Sequence, residues 1–136
     1  MGGVIQHNKA IDFILGGNST FTVLNTKTKN RFTFKVKKHN KGNIFFVKIL
    51  TNPEIYTFIG SIIENKYKHS GKSTINQDAQ SVKVFSYILR KLSESSLEDF
   101  IEIWHEGRCG RCGRELTVPS SIESGFGPEC IKRIKL

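Results

Sequence analysis

The chain has 136 residues, 38% of them hydrophobic, and a formal net charge of +9 at pH 7. This length fits one domain or one domain with a small appended module, and the composition excludes a disordered chain. The sequence has no run of about 18 apolar residues, which excludes a transmembrane helix. Its first residues lack the apolar segment of a secretory signal, so we predict a cytoplasmic protein.

The first half of the chain predicts a short helix followed by an antiparallel meander. Residues 8–15 fit a helix that Asn8 caps and that Gly16-Gly17 ends. The segments "STFTVLN" and "RFTFKVKK" alternate apolar and polar residues around the turn-like "TKTKN", which indicates a β-hairpin, and "IFFVKIL" follows as a third strand. The segment "NPEIYTFIGSII" fits a helix or a strand, and its aromatic and β-branched residues favour a fourth strand. The polar "ENKYKHSGKSTINQDAQ" predicts a loop.

The meander region is strongly basic. No acidic residue occurs between Asp12 and Glu54. That window contains Lys27, Lys29, Arg31, Lys35, Lys37, Lys38, Lys41 and Lys48. One-sided charge of this kind indicates a polyanionic partner, most often nucleic acid, although many small basic proteins bind nothing through such a surface.

Strand alternation separates the cations of the hairpin from its aromatic residues. Phe32, Phe34 and Val36 fall on one face. Arg31, Thr33, Lys35 and Lys37 fall on the other. If the aromatic face packs on the helices, the cationic face binds phosphates without reading bases. Phe45 and Phe46 must point to opposite faces, so the exposed one either stacks on a base or is covered by neighbouring side chains. The predicted nucleic-acid-binding residues are Arg31, Lys35, Lys37, Lys38, Lys41 and Arg111.

Two helices are predicted after the loop. Residues 79–92 form an amphipathic helix with one apolar face. That face consists of Val82, Phe85, Ile88, Leu89 and Leu92. A second helix is predicted from Ser96, with Ser95 and Glu98 as a capping box. Its buried stripe consists of Leu97, Phe100, Ile101 and Trp104. His105 would end this helix, and Gly107 would follow as a C-terminal stop.

The C-terminal segment contains all three cysteines of the chain, which predict a metal site in a reducing compartment. Cys109 and Cys112 fit a knuckle in which Gly110 and Gly113 allow a tight turn and backbone N–H groups point at sulfur. Cys130 would lie in the first turn of a helix that begins at Gly127-Pro128. A knuckle followed by a helix is a treble-clef-like arrangement that binds Zn²⁺.

The sequence leaves two candidates for the fourth zinc ligand. Arg133 and Ile134 stand where a treble clef often has its fourth ligand, and neither can bind zinc. His105 is the best candidate, and a Cys₃His shell would make the zinc structural. The alternative is that His105 balances the dipole of the preceding helix and that water is the fourth ligand. Zinc deaminases use an H-x-E motif, which is absent because Glu106 follows His105 directly, and we predict no enzyme.

The segment "CGRCGRELTVPSSIESGFGPEC" resembles the signature of an uncharacterised family found largely in phages and mobile elements. The motif of that family is close to C-x-x-C-G-R-x-L-T-x-P-x-S-I-x-x-G-x-G-P-x-C. The upstream "HEGRC" and the N-terminal "GGNSTFTVLNTKTKNRFTFKV" also look like longer members. The resemblance implies a phage or plasmid accessory protein in the host cytoplasm and supplies no activity.

We therefore expect an α+β protein, with an antiparallel β-meander packed on helices in residues 1–106 and a treble-clef-like zinc module in residues 107–136. The first functional hypothesis is a zinc-stabilised accessory protein that binds nucleic acid or a nucleoprotein. The alternative is an anti-defence inhibitor that binds a host protein complex, which is an argument from analogy with small phage proteins.

Overall fold

A computed structural model describes residues 2–39, 43–117 and 119–134 of the chain. The elements are β1 (Gly3–Ile5), α1 (His7–Ile14), β2 (Asn18–Asn25), β3 (Arg31–Lys38), β4 (Ile44–Asn52), β5 (Ile55–Ile63), β6 (Lys66–His69), α2 (Gln80–Ser93), β7 (Ile101–His105), α3 (Pro119–Ser124) and α4 (Pro128–Ile134). Within the described residues, no helix has the length and apolar character needed to cross a membrane.

The seven strands form one antiparallel sheet in the order β1-β7-β2-β3-β4-β5-β6. Strands β2 to β6 follow one another as a meander, which confirms the predicted hairpin, the third strand and the fourth strand. The chain turns from β2 into β3 because the side chain of Asn25 accepts hydrogen bonds from the backbone N–H groups of Lys27 and Thr28. Lys29 completes the turn with a φ of 67°.

Strand β6 lies in the segment that the sequence predicted as a loop. Glu64 and Asn65 form the two-residue turn between β5 and β6 and have φ values of 53° and 64°. Such turns are most often Asn-Gly or Asp-Gly, so this one gives a weak sequence signal.

The core lies between the sheet and the helices α1 and α2, which pack on the same side. The ring of Phe85 on α2 lies 5.0 Å from the ring of Phe34 and 6.4 Å from that of Phe21. On α1, the ring of Phe13 lies 6.0 Å from that of His105. The predicted apolar face of α2 is buried in full, so the amphipathic pattern identified the core side of this helix correctly.

The predicted second helix from Ser96 is wrong, because residues 101–105 form strand β7. Ser95 has a φ of 56°, which the N-cap of a helix does not adopt. Glu98 accepts a hydrogen bond from the hydroxyl of Tyr87 and forms no capping box. The buried residues of β7 are Ile101, Ile103 and His105, which alternate as strand residues do.

Two smaller predictions need correction at the N-terminus. Helix α1 begins at His7 with Gln6 as its N-cap, and Asn8 does not cap it. Strand β1 was not predicted, and it is three residues long. It pairs with β7, from Gly3 opposite His105 to Ile5 opposite Ile103.

The side of the sheet opposite α1 and α2 has exposed and half-buried side chains. We call this surface the open face. Its residues include Thr20, Thr22, Arg31, Thr33, Lys35, Lys37, Phe46, Lys48, Tyr56, Phe58, Glu102 and Trp104. Each of them is exposed or half-buried, whereas most of the residues that alternate with them on β2, β3 and β4 are buried in the core.

Candidate functional site

A tight backbone turn after β7 holds the first two cysteines. The N–H of Cys109 donates to the carbonyl of Arg114 at 2.8 Å, and the N–H of Gly113 donates to the carbonyl of Cys109 at 2.9 Å. Gly113 follows Cys112 with a φ of 80°, which L side chains rarely adopt. The predicted knuckle and the need for glycine at position 113 are therefore present in the structure.

Gly110 has a different role, because it lets the knuckle approach helix α1. A Cβ atom at Gly110 would lie 2.6 Å from the ring of Phe13. The carbonyl of Gly110 accepts the N–H of Asn18 at 2.9 Å, and Phe13 also meets the ring of Phe126 at 5.7 Å. The C-terminal segment is thus packed on α1 and on the start of β2.

The third cysteine comes from α4, and its sulfur joins the other two. The sulfur atoms of Cys109, Cys112 and Cys130 all lie within 4.8 Å of one another. Cys109 and Cys130 are buried, and Cys112 is exposed. A tetrahedral site with metal–sulfur bonds of about 2.3 Å holds its sulfurs about 3.8 Å apart. The three thiols therefore fit a shared metal ion and can hold one.

Nitrogen donors surround the sulfur atoms. Burial raises the pKa of the Cys109 thiol, but backbone N–H groups, including that of Arg111, outweigh burial and bring this pKa below its ordinary value. The N–H of Arg111 lies 3.4 Å from the sulfur of Cys109, and its guanidinium lies 3.6 Å from the sulfur of Cys130. Burial raises the pKa of Cys130 above its usual value, and Arg111 opposes that rise.

The structure does not bring His105 into the cysteine cluster. Its Nδ1 accepts the N–H of Gly107 at 2.9 Å, so Nε2 carries the ring proton and donates to the carbonyl of Ile122. Burial lowers the pKa of His105, which favours this neutral form. His105 fails as the predicted fourth ligand because β7 directs its ring under α3, where both nitrogens are already hydrogen-bonded.

The open face places two lysines directly opposite each other. Lys35 on β3 and Lys48 on β4 are cross-strand partners in the sheet register. Lys37 is the next open-face residue along β3, and its partner is Phe46. Like charges in opposite positions are destabilising in a sheet, so this arrangement costs the free protein stability.

Aromatic rings lie between these cations. The Nζ of Lys35 lies 4.4 Å from the centre of the Tyr56 ring. The ring of Phe46 is 37% exposed and meets the ring of Phe58 edge-on at 6.0 Å. Phe46, rather than Phe45, is therefore the exposed member of the predicted pair, and Phe45 is buried.

A shallow cavity of about 310 Å³ lies at the β7 end of the open face. Its lining includes Arg31, Trp104 and the exposed carboxylate of Glu106. The indole N–H of Trp104 donates to Glu102 at 3.1 Å. Burial raises the pKa of Tyr56, and the negative charge of Glu106 adds to that rise.

Residues 104–135 match a family of unknown function, DUF6011. The match includes the three cysteines and His105 but only the end of the sheet. The similarity to this family is therefore confined to the C-terminal segment. No curated protein and no solved structure matches the chain. The phage association and the division at residue 106 stay predictions.

The predicted nucleic-acid-binding residues occupy different places. Arg31, Lys35 and Lys37 share the open face, as the alternation predicted. Lys38 is exposed but alternates to the helix side at the end of β3, and Lys41 lies outside the described residues. Arg111 does not belong with them, because its guanidinium contacts the sulfur of Cys130.

Besides Phe46, four cationic or aromatic residues of the open face were missing from the predicted site. Lys48, Tyr56 and Phe58 come from strands β4 and β5, and applying the alternation used for β3 would have placed them correctly. Trp104 was assigned to a buried helical stripe. Only the recognition of β7 as a strand moves Trp104 to the open face.

Replacing His105 with Ala is expected to lower the free energy of unfolding by about 2–5 kcal/mol, because the Ile122 carbonyl and the Gly107 N–H lose their buried partner. Unfolded His105 binds a proton near its ordinary pKa of 6.5, whereas the folded protein holds it neutral to lower pH. The unfolded state then binds more protons, so stability falls as pH drops below 6.5.

Chemical denaturation of the wild type and of His105→Ala at several pH values above and below 6.5 tests both points. Part of the acid sensitivity should disappear in the variant. The folded variant should keep the metal stoichiometry of the wild type. A loss of the metal from a variant that still folds would instead return His105 to the ligand set.

Proposed function

We propose that the protein binds nucleic acid through the open face of its sheet. The observation that carries this proposal is the direct opposition of Lys35 and Lys48, with Lys37 beside them and aromatic rings between. A bound phosphate backbone neutralises such a set of cations and removes the repulsion between them.

The charges of these lysines remain available to a ligand. Two ion pairs occur among residues 2–39, 43–117 and 119–134, and both lie elsewhere. They are Arg90–Glu94 at 3.8 Å and Lys132–Glu129 at 3.7 Å. Because alternation leaves β3 with cations on one face and core residues on the other, the open face offers phosphate contacts from a rigid sheet.

We further propose that the metal is Zn²⁺ and that its role is structural. Thiolates are preferred zinc ligands, and Cys109, Cys112 and Cys130 would hold the ion between the knuckle and α4 in a treble-clef-like module. The ion would supply a cross-link between these two chain segments. The resemblance of the cysteine segment supports an accessory role in a phage or mobile element, with no catalytic step.

Titration of the wild type with labelled single-stranded and duplex oligonucleotides at several salt concentrations tests the binding proposal. The logarithm of the association constant should fall linearly with the logarithm of salt concentration. Absence of binding to either form at low salt would overturn the proposal. The basic face would then require a protein partner, as an inhibitor of a host complex would have.

Substitution of Glu106 tests the binding proposal through an expected gain of affinity. Glu106→Gln removes the carboxylate beside Arg31 and should tighten binding about twofold to threefold, since one repulsive charge near the phosphates disappears. Glu123→Gln, on the exposed side of α3, changes the net charge equally and is the control. Equal effects of the two substitutions would show that net charge, rather than the open face, governs affinity.

A further inference from the structure

Phe46 exposes its ring at a position where a sheet would normally place a polar residue. It is 37% exposed, and its cross-strand partner is Lys37. Lys48 is the next residue on the same face of β4. A large apolar side chain left in water between two cations loses the burial free energy that it would gain in a core.

The ring of Phe46 is held in place by its neighbours. Phe58 meets it edge-on at 6.0 Å, and His39 meets it edge-on at 5.1 Å. Its 37% exposure leaves part of the ring open to a flat ligand. The sheet backbone beneath it is fixed by pairing with β3 and β5.

We propose that the ligand is a single strand of nucleic acid, an inference that rests on the proposed function. One base of the strand stacks on Phe46, and its phosphates contact Lys37 and Lys48. A duplex keeps its bases paired and stacked inside the helix, so it can satisfy the lysines but cannot place a base on this ring. Unpaired bases present their faces to aromatic side chains irrespective of sequence. The alternation of ring and cation along β4 therefore favours a single strand over a duplex.

Three ligands of equal length distinguish the contribution of the bases to binding from that of the phosphates. They are a thymidine-only strand, the same strand with abasic sites throughout, and a duplex. The wild type should bind the thymidine strand at least about fivefold more tightly than the abasic strand, since stacking on one ring has that effect. The salt dependence should be the same for the two single strands, because the phosphates are unchanged.

Phe46→Leu keeps an apolar side chain at this exposed position and removes the aromatic ring. It should lose the preference for the thymidine strand over the abasic strand and leave duplex affinity within about twofold. Phe46→Tyr should retain the preference. Phe100→Leu is the matched control, because Phe100 is a half-buried phenylalanine that also has a lysine beside it, with Lys27 4.2 Å from its ring centre, but lies away from the open face.

The outcomes distinguish this inference from the proposal on which it rests. Equal binding of the thymidine and abasic strands by the wild type would overturn stacking and leave phosphate binding intact. Loss of affinity for all three ligands in Phe46→Leu, with an unchanged unfolding curve, would also overturn it. No binding of any of the three ligands by the wild type would overturn both the stacking inference and the proposal that the protein binds nucleic acid.

Discussion

Cys112→Ser is expected to abolish stoichiometric zinc binding and to destabilise the zinc-loaded protein by several kcal/mol. A structural zinc site contributes on the order of 10 kcal/mol at neutral pH, and each thiolate is needed to reach that value. Cys112 is the best choice because it is exposed, whereas Cys109 and Cys130 are buried. Serine at an exposed position costs the metal-free fold little, so the effect reports on the metal alone.

The measurement is thermal unfolding of both proteins with added zinc and with a chelator, together with metal analysis. Zinc should raise the Tm of the wild type and leave that of Cys112→Ser nearly unchanged. The two proteins should unfold alike in chelator. If the wild type is equally stable with and without metal, the three sulfurs have no structural role as a zinc site.

Neutralising Lys35, Lys37 and Lys48 together to Gln is expected to cause the largest change in nucleic-acid binding. Three phosphate contacts disappear, so the slope of log K against log salt should fall by about 2–3 units for a duplex and about 2 units for a single strand. The free protein should not lose stability, since the substitution also removes the opposed charges of Lys35 and Lys48. Weaker binding with unchanged or higher stability is an unusual combination for a triple substitution in a sheet.

The matched control neutralises three exposed lysines on other parts of the molecule. Lys9 lies on α1, Lys72 in the loop after β6 and Lys83 on α2. This variant has the same net charge as the open-face variant. A comparable decrease in the slope of log K against log salt for the two variants would contradict a binding site on the sheet. It would indicate that nucleic acid is attracted by the overall positive charge of the protein.

Strands β2, β3 and β4 could be predicted because each of them alternates and is bounded by turn residues, whereas β6 lies in a polar segment that predicted a loop. Strand β7 could not be predicted in this way. Leu97, Ile101 and Trp104 fit helical spacing, whereas the alternation of Ile101, Ile103 and His105 is short. What decides between the two is pairing with β1 and β2, and those partners are distant in sequence. Tertiary pairing therefore overrode a local pattern that was physically reasonable.

The error in β7 carried over into the candidate site. A histidine at the end of a helix, four residues before a cysteine, is well placed to bind the same ion. A histidine on the inner face of a strand is not, and His105 instead supports the backbone of α3 and of the turn at Gly107. The close approach of the three cysteines was predicted correctly because knuckle spacing and the Gly127-Pro128 helix start are local signals.

The position of β7 between β1 and β2 has a consequence for folding during synthesis. Phe21 pairs with His105, so the edge of β2 stays unpaired until most of the chain has left the ribosome. Unpaired strand edges invite aggregation, and contacts this distant in sequence form slowly. The cysteine segment emerges directly after β7 and packs against α1 and the start of β2. Docking of this segment can therefore hold β7 in place. The nascent chain is then most prone to aggregation just before the cysteine segment appears.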